Sequence, residues 1–189
     1  MKKRTFSLLI AVIVFVSGSL VAQNKAVDVS TSQITWTGKK VTGEHMGHIH
    51  FKSGQLLFKG SELSGGEFIV DMTTITCTDL KDEEYNKKLV GHLKSDDFFG
   101  VSTFSESNLK LTSVKKAGNG YDVKGDLTIK GKTNPIAFKV KSAGNKFMGT
   151  MVIDRTVYDV RYGSGKFFDN LGDKMIYDEF ELAFEVNMK

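Results

Sequence analysis

The chain has 189 residues, with 26 Lys and Arg against 22 Asp and Glu, a formal net charge of +4, one cysteine and one proline. Three of the basic residues, Lys2, Lys3 and Arg4, stand ahead of residue 22, and without that segment the count is 23 to 22, a net +1 over 167 residues. That balance excludes a charge-driven nucleic-acid footprint and fits a single domain large enough to bury a core.

The basic start is followed by an apolar run from Phe6 to Val16 and by small residues that end at Ala22. Basic start, short apolar middle and small-residue exit are the layout of a secretory signal peptide, so residues 1–22 are expected to be removed on export, leaving one domain over 23–189. The run is shorter than the roughly 20 apolar residues of a spanning helix. No cysteine lies near the exit to carry a lipid. Cys77 is the only cysteine, so no internal disulfide can form and stability has to come from packing. Its setting, Met72-Thr73-Thr74-Ile75-Thr76-Cys77, reads as a strand end with a small half-buried residue.

Strands dominate the rest of the chain. Period-2 alternation or β-rich composition predicts them near 27–41, 47–58, 66–76, 102–114, 120–130, 135–142, 146–154 and 178–188. The last is the clearest: Phe180, Leu182, Phe184, Val186 and Met188 share one face, and Glu179, Glu181, Ala183, Glu185 and Asn187 the other. Turn residues punctuate the series at Ala117-Gly118-Asn119-Gly120, at Lys132-Thr133-Asn134 before Pro135, and at Ser142-Ala143-Gly144-Asn145. Pro135 is expected at a strand start, where its missing N–H does least harm. One helical piece is predicted from about Asp79 to Phe98, between the third and fourth strands. It has Glu84 and Lys88 at i,i+4 and a stripe of Tyr85, Leu89 and Leu93. Ser95-Asp96-Asp97 is read as a capped turn that drops Phe98 and Phe99 onto the sheet.

Local antiparallel connections favour a meander, and eight strands with one apolar face make a sandwich or a closed barrel. Closure removes exposed edges, which favours the barrel. A transmembrane barrel would turn its apolar face outward. The polar faces here are dense in Lys and Glu, too bulky and charged to fill an eight-stranded lumen, so the soluble arrangement is preferred.

Several runs carry a resemblance. They are Trp36-Thr37-Gly38-Lys39, Gly43-Glu44-His45-Met46-Gly47, Val70-Asp71-Met72, His92-Leu93-Lys94-Ser95-Asp96-Asp97-Phe98-Phe99, Gly125-Asp126-Leu127-Thr128-Ile129-Lys130-Gly131 and Asp154-Arg155-Thr156. In this order, over nearly the whole chain after residue 22, they resemble the YceI family. The resemblance implies an all-β, eight-stranded antiparallel, lipocalin-like barrel that is exported to the periplasm. It also implies a long apolar interior that holds a polyisoprenoid or other long-chain amphiphile for transport or storage, and it implies no catalytic activity and no cofactor. The three histidines close together and the Phe167-Phe168 loop depart from the family pattern.

Under that reading the ligand-binding candidates are Trp36, Phe68, Val70, Met72, Phe99, Phe104, Leu127, Ile129, Phe138, Phe147, Met151, Arg155, Phe167 and Phe184. The competing reading is that the predicted inner-face residues simply fill a solid core. An apolar tail gains about 0.8 kcal/mol per buried CH₂ against an association cost of roughly 4–15 kcal/mol, so long chains are favoured over short acids. Arg155, Arg161 and Lys166, near a loop over 154–177, could hold an anionic head group, or could pair with Asp154, Asp159 or Asp178. His45, His48 and His50 are the alternative site, for a metal or a redox role, since a His-x-His pair with a third ligand suits zinc or copper. Asp96 and Asp97 could be paired catalytic carboxylates, but a helix N-terminal role accounts for them, and no nucleophile–base–orienter set assembles, so no enzyme is expected. The partner expected is the lipid, with no nucleic acid and no stable membrane insertion after signal removal; a homodimer is compatible with the sequence.

Overall fold

The computed structural model describes residues 22–189, and the expected signal peptide lies almost wholly outside them. In chain order the strands are β1 (Ala22–Ala26), β2 (Gln33–Lys40), β3 (Gly43–Lys59), β4 (Glu62–Asp71), β5 (Glu106–Ala117), β6 (Gly120–Ile129), β7 (Lys132–Ala143), β8 (Lys146–Asp154) and β9 (Ile176–Asn187). One helix, α1 (Glu83–Lys94), lies between β4 and β5.

All pairings are antiparallel, in the order β3-β2-β9-β8-β7-β6-β5-β4, and β4 pairs back onto β3. Eight strands therefore close into a barrel, with β1 added outside the ring against the second half of β3 (Ala22 opposite Lys59). Closure rests on the length of β3, 17 residues. Its first half pairs with β2 (Lys40 opposite Gly43) and its second half with β4 (Lys59 opposite Glu62). No helix among the described residues is long and apolar enough to cross a membrane. The apolar faces point into the barrel: Ile34, Phe68, Val123, Val140 and Phe147 are buried while Lys and Glu stand outside, the reverse of a transmembrane barrel.

The turns follow the backbone demands of their residues. Gly118-Asn119 and Gly144-Asn145 are two-residue hairpin loops, with both glycines at positive φ. The third turn sits earlier than expected. It is made by Lys130-Gly131, both at positive φ, so Lys132, Thr133 and Asn134 already belong to β7 and Pro135 is its fourth residue. Proline is tolerated there because β7 meets β8 only over Lys139–Ala143.

Other boundaries also shift. The strand expected from residue 27 begins at Gln33, because Asp28 accepts from the Ser30 N–H and hydroxyl and bends the chain. The strand expected over 66–76 ends at Asp71, whose carboxylate caps a 3₁₀ turn, Met72–Thr74, by accepting from the Thr73 N–H. Cys77 is therefore not at a strand end. It lies in a strap that runs along the first half of β3, with Thr76 N–H donating to the His48 carbonyl at 3.0 Å and Thr78 N–H to the Met46 carbonyl at 2.9 Å. The helix is shorter than predicted because Asp82, not Asp79, is its N-cap and accepts from the Glu84 and Tyr85 N–H groups. Glu84 and Lys88 pair at 2.6 Å, but Tyr85 is 63% exposed and lies off the stripe. Ser95 ends this helix instead of opening a new one. Its hydroxyl donates to the His92 carbonyl, and Asp96 and Asp97 are exposed in the turn beyond, so neither has a helix N-terminal role.

Candidate functional site

Alternation along the strands sends one side chain in two toward the barrel axis, and the inner faces enclose a cavity of about 230 Å³. That is far above the roughly 10–15 Å³ that a single water needs, so the barrel is hollow and not filled by its own side chains. Its wall is built from Phe180, Leu182, Phe184 and Val186 of β9, Val123, Leu127 and Ile129 of β6, Phe68 and Val70 of β4, Phe147 and Met151 of β8, and Phe138 of β7. Wall rings pack beside one another: Phe51 with Phe68 (5.9 Å between centroids) and Phe138 edge-on to Phe184 (5.7 Å). Gly149 allows the second contact. A Cβ there would meet the Phe184 ring at 2.6 Å, so the ring can lie over β8 only where a side chain is missing.

One end is shut. Phe58 and Tyr121 each pack 6.4 Å from Phe147, and Leu63 lies against the Tyr121 hydroxyl. Phe147 and Arg155 both border the cavity eight residues apart, which is roughly 26 Å along the strand direction and about 20 Å along the axis of a barrel tilted by 35–45°.

The other end is the mouth, bordered by Lys39, Lys40 and Gly43 at the β2–β3 hairpin, Ile176 and Tyr177 of β9, and Leu89, His92 and Leu93 of α1. Just beyond the helix, Phe98 is buried and meets Phe99 edge-on at 5.0 Å, so the paired rings do drop onto the barrel end. The His92 ring is held edge-on between Phe98 (5.6 Å) and Tyr162 (4.4 Å). Its Nε2 is buried with no hydrogen-bond partner among the described residues.

Of the ligand-binding candidates, Trp36, Phe68, Val70, Met72, Phe99, Leu127, Ile129, Phe138, Phe147, Met151, Arg155 and Phe184 border this one cavity. Phe104 and Phe167 do not. Phe104 packs outside the wall against Gly100 and Gly131, and Phe167 and Phe168 are 45% and 50% exposed on the loop before β9. Phe104 is expected on an inner strand face and Phe167 as a ring at the mouth; neither borders the cavity, because β5 begins only at Glu106, after Phe104, and aromatic composition does not say which way a loop ring turns. Leu182, Val123 and His92 also border the cavity and follow from the same alternation and helical spacing.

Arg155 borders the cavity with its donors already engaged. It is 2% exposed, with Nε donating to the Tyr177 carbonyl (3.1 Å), Nη1 to Val160 (2.8 Å) and Nη2 to Ile176 (3.0 Å). Burial lowers its pKa, opposed by the Asp178 carboxylate 3.6 Å away and by Asp154. Arg161 pairs with Asp159 at 2.8 Å and lies over the Phe167 ring, and Lys166 bridges Asp154 (2.8 Å) and Asp178 (3.4 Å). The three cations are consumed in holding the 154–178 segment, so they form no free clamp for an anionic head.

The three histidines do not converge. His48 and His50 share the outer face of β3, where His48 sits beside Gln33 (2.9 Å) and Thr35 (3.3 Å). His45 has the opposite parity and turns to Asp79, Nδ1 to Oδ2 2.9 Å, in the strap. His45 does not reach round from a preceding turn, because β3 already begins at Gly43, and an odd offset of three then places His45 and His48 on opposite faces of that strand.

The YceI-like domain model matches residues 26–188. Protein YceI of Escherichia coli O17:K52:H18 is 30% identical over 149 residues, covering 76% of this chain and 74% of that protein, and Protein YceI of Salmonella arizonae matches to the same extent. Among solved structures, Burkholderia cenocepacia BcnA superposes with a TM-score of 0.67 at 25% identity, over 85% of this chain and 98% of that one. A polyisoprenoid binding domain from Saccharophagus degradans shares the fold, with a TM-score of 0.61 at 15% identity, over 87% of this chain and 97% of that one. A closed lipocalin-like barrel, a hollow apolar interior and a family match over nearly all of the described residues lead to one conclusion: this chain belongs to the YceI-like family.

Proposed function

We propose that this protein is an exported binding protein that holds one polyisoprenoid or similarly long amphiphile inside the barrel, for transport or storage in the periplasm. The observation that carries the reading is the apolar cavity of about 230 Å³, shut at the Phe58–Phe147 end and bordered by α1 at the other. A slender chain fits it, and at about 0.8 kcal/mol per CH₂ roughly a dozen buried carbons are needed to outweigh the cost of association. The tail lies along Phe68, Leu127, Phe138, Met151, Leu182 and Phe184, with the head at the mouth. There the buried Nε2 of His92 has no hydrogen-bond partner among the described residues, and Phe99 and Arg155 border the cavity. A hydroxyl or other polar head suits this end, where Arg155, Arg161 and Lys166 are already paired and Lys40 borders the mouth. The fold shared with a polyisoprenoid binding domain, and the signal-like segment before residue 23, support the ligand class and the compartment.

The protein is read as a binder and not an enzyme. Among the described residues the Cys77 thiol donates to Asp79 and not to His45, so even the one Cys/His/Asp group lacks a nucleophile–base contact. Native mass spectrometry of protein purified from its source tests the reading. A co-purifying amphiphile of several hundred daltons is expected; a bare polypeptide mass, together with no displacement of an apolar fluorescent probe by long-chain isoprenoids, would overturn it.

A further inference from the structure

We propose that His45, Cys77 and Asp79 form a binding site for a single zinc-class divalent cation beside the barrel mouth, separate from the outward-facing His48 and His50. One donor atom from each of the three lies within 4.8 Å of the other two. His45 Nδ1 is 2.9 Å from Asp79 Oδ2, and Cys77 Sγ is 3.3 Å from Asp79 Oδ1. Thiolate, imidazole and carboxylate bind zinc at about 2.0–2.3 Å, and three such ligands leave a fourth position for water or an external donor. The donor set itself selects the ion: sulfur and imidazole favour zinc and its soft neighbours over calcium or magnesium.

The cluster is preorganised by backbone. His45 comes from β3, and Cys77 and Asp79 come from the strap. The two are locked together by Thr76 N–H to His48 carbonyl, Thr78 N–H to Met46 carbonyl, and Met46 N–H to Asp79 Oδ1 at 2.8 Å. Asn86 of α1 fixes the strap from the other side, donating to the carbonyls of Cys77 and Leu80. The close approach depends on Gly47, where a Cβ would stand 1.8 Å from the Thr76 carbonyl oxygen. Geometry of this kind is what metal sites need from their surroundings. Cys77 is 8% exposed and His45 borders the cavity, which sets the cluster beside the mouth.

Binding converts the Cys77 thiol to a zinc-bound thiolate and releases its proton to solvent, with no oxidant or reductant required. Asp79 needs no such step, because a carboxylate is already ionised at neutral pH.

Calorimetric titration of the purified, reduced protein with Zn²⁺ alone is expected to show one equivalent bound with proton release, and no heat with Ca²⁺ or Mg²⁺. The Co²⁺ form should show a thiolate-to-metal charge-transfer band. Cys77→Ser should abolish that band, and Cys77→Ser and His45→Ala should each weaken zinc by more than the roughly 10–100-fold typical of outer-shell changes. The double variant His48→Ala/His50→Ala should leave both readouts unchanged. If Cys77→Ser does not fold, as judged by its circular dichroism, His45→Ala and Asp79→Asn carry the same test. Absence of zinc heat, zinc binding without the cobalt band, or loss of binding only in the His48/His50 double variant would each overturn the proposal. None of these readouts depends on a lipid being present.

Discussion

The indole Nε1 of Trp36 donates to the carbonyl of Thr76 at 2.9 Å, across 40 residues of chain, and so ties the strap before α1 to the barrel wall. Trp36 sits on β2 opposite Gly47 of β3, and the strap passes over that glycine. One side chain thus borders the cavity and anchors the segment that carries Cys77 and Asp79.

Trp36→Phe keeps an aromatic ring on the wall and removes the donor. The Thr76 carbonyl then loses a partner, at a cost of about 1–2 kcal/mol. Urea unfolding should show a lower midpoint at an unchanged m-value. A midpoint equal to that of the unaltered protein would mean that the backbone bonds to β3 hold the strap unaided.

Arg155→Lys is expected to destabilise the fold by about 3 kcal/mol or more. A single ammonium cannot reproduce a planar fork that serves three carbonyls from two segments, and the groups it abandons are buried. The effect should appear in thermal or urea unfolding as lost stability. If the arginine were instead a ligand clamp, affinity would fall and stability would not.

Leu182→Trp places a larger ring into the void halfway along β9. Because it enters open space, stability should fall by no more than about 1–3 kcal/mol. Each CH₂ it excludes forfeits about 0.8 kcal/mol, so displacing two methylenes already weakens a long-chain ligand about tenfold. Fluorescent-probe displacement measures this, and unchanged affinity would place the ligand outside the barrel.

Asp79 supplies a pH signature. Its pKa in the fold is about 2 against an ordinary 3.8, so the fold prefers the ionised carboxylate. The resulting stability, about 2 kcal/mol at most, is present above about pH 4 and is lost as pH falls toward 2. In the presence of a chelator, Asp79→Asn should therefore be less stable than the unaltered protein at pH 7, and the gap should close between pH 4 and 2. A gap that persists at pH 2 would assign the loss to packing and not to charge.

Period-2 alternation places most of the wall residues, because a strand's faces are set by its backbone and an apolar face must be buried. Phe180, Leu182 and Phe184 follow directly from that rule, and turn chemistry places the Gly118-Asn119 and Gly144-Asn145 hairpins. Departures gather where the chain leaves regular structure. Asp79 looks like the start of a helix in the sequence, yet Asp82 caps it and Asp79 accepts from Met46 on β3.

The all-β class and the apolar face of each strand are thus legible in the linear chain, since they depend on local periodicity and turn chemistry, while the family is legible only through the motif runs that resemble it. That the faces surround a void is implied by the resemblance alone, and two features have no sign in the sequence: that Arg155 spends its donors on backbone carbonyls, and that His45 meets Cys77 and Asp79 instead of His48 and His50. These turn on how far apart the strands close and on which distant segments come into contact, such as His45 and Asp79, 34 residues apart. No local pattern encodes such distances.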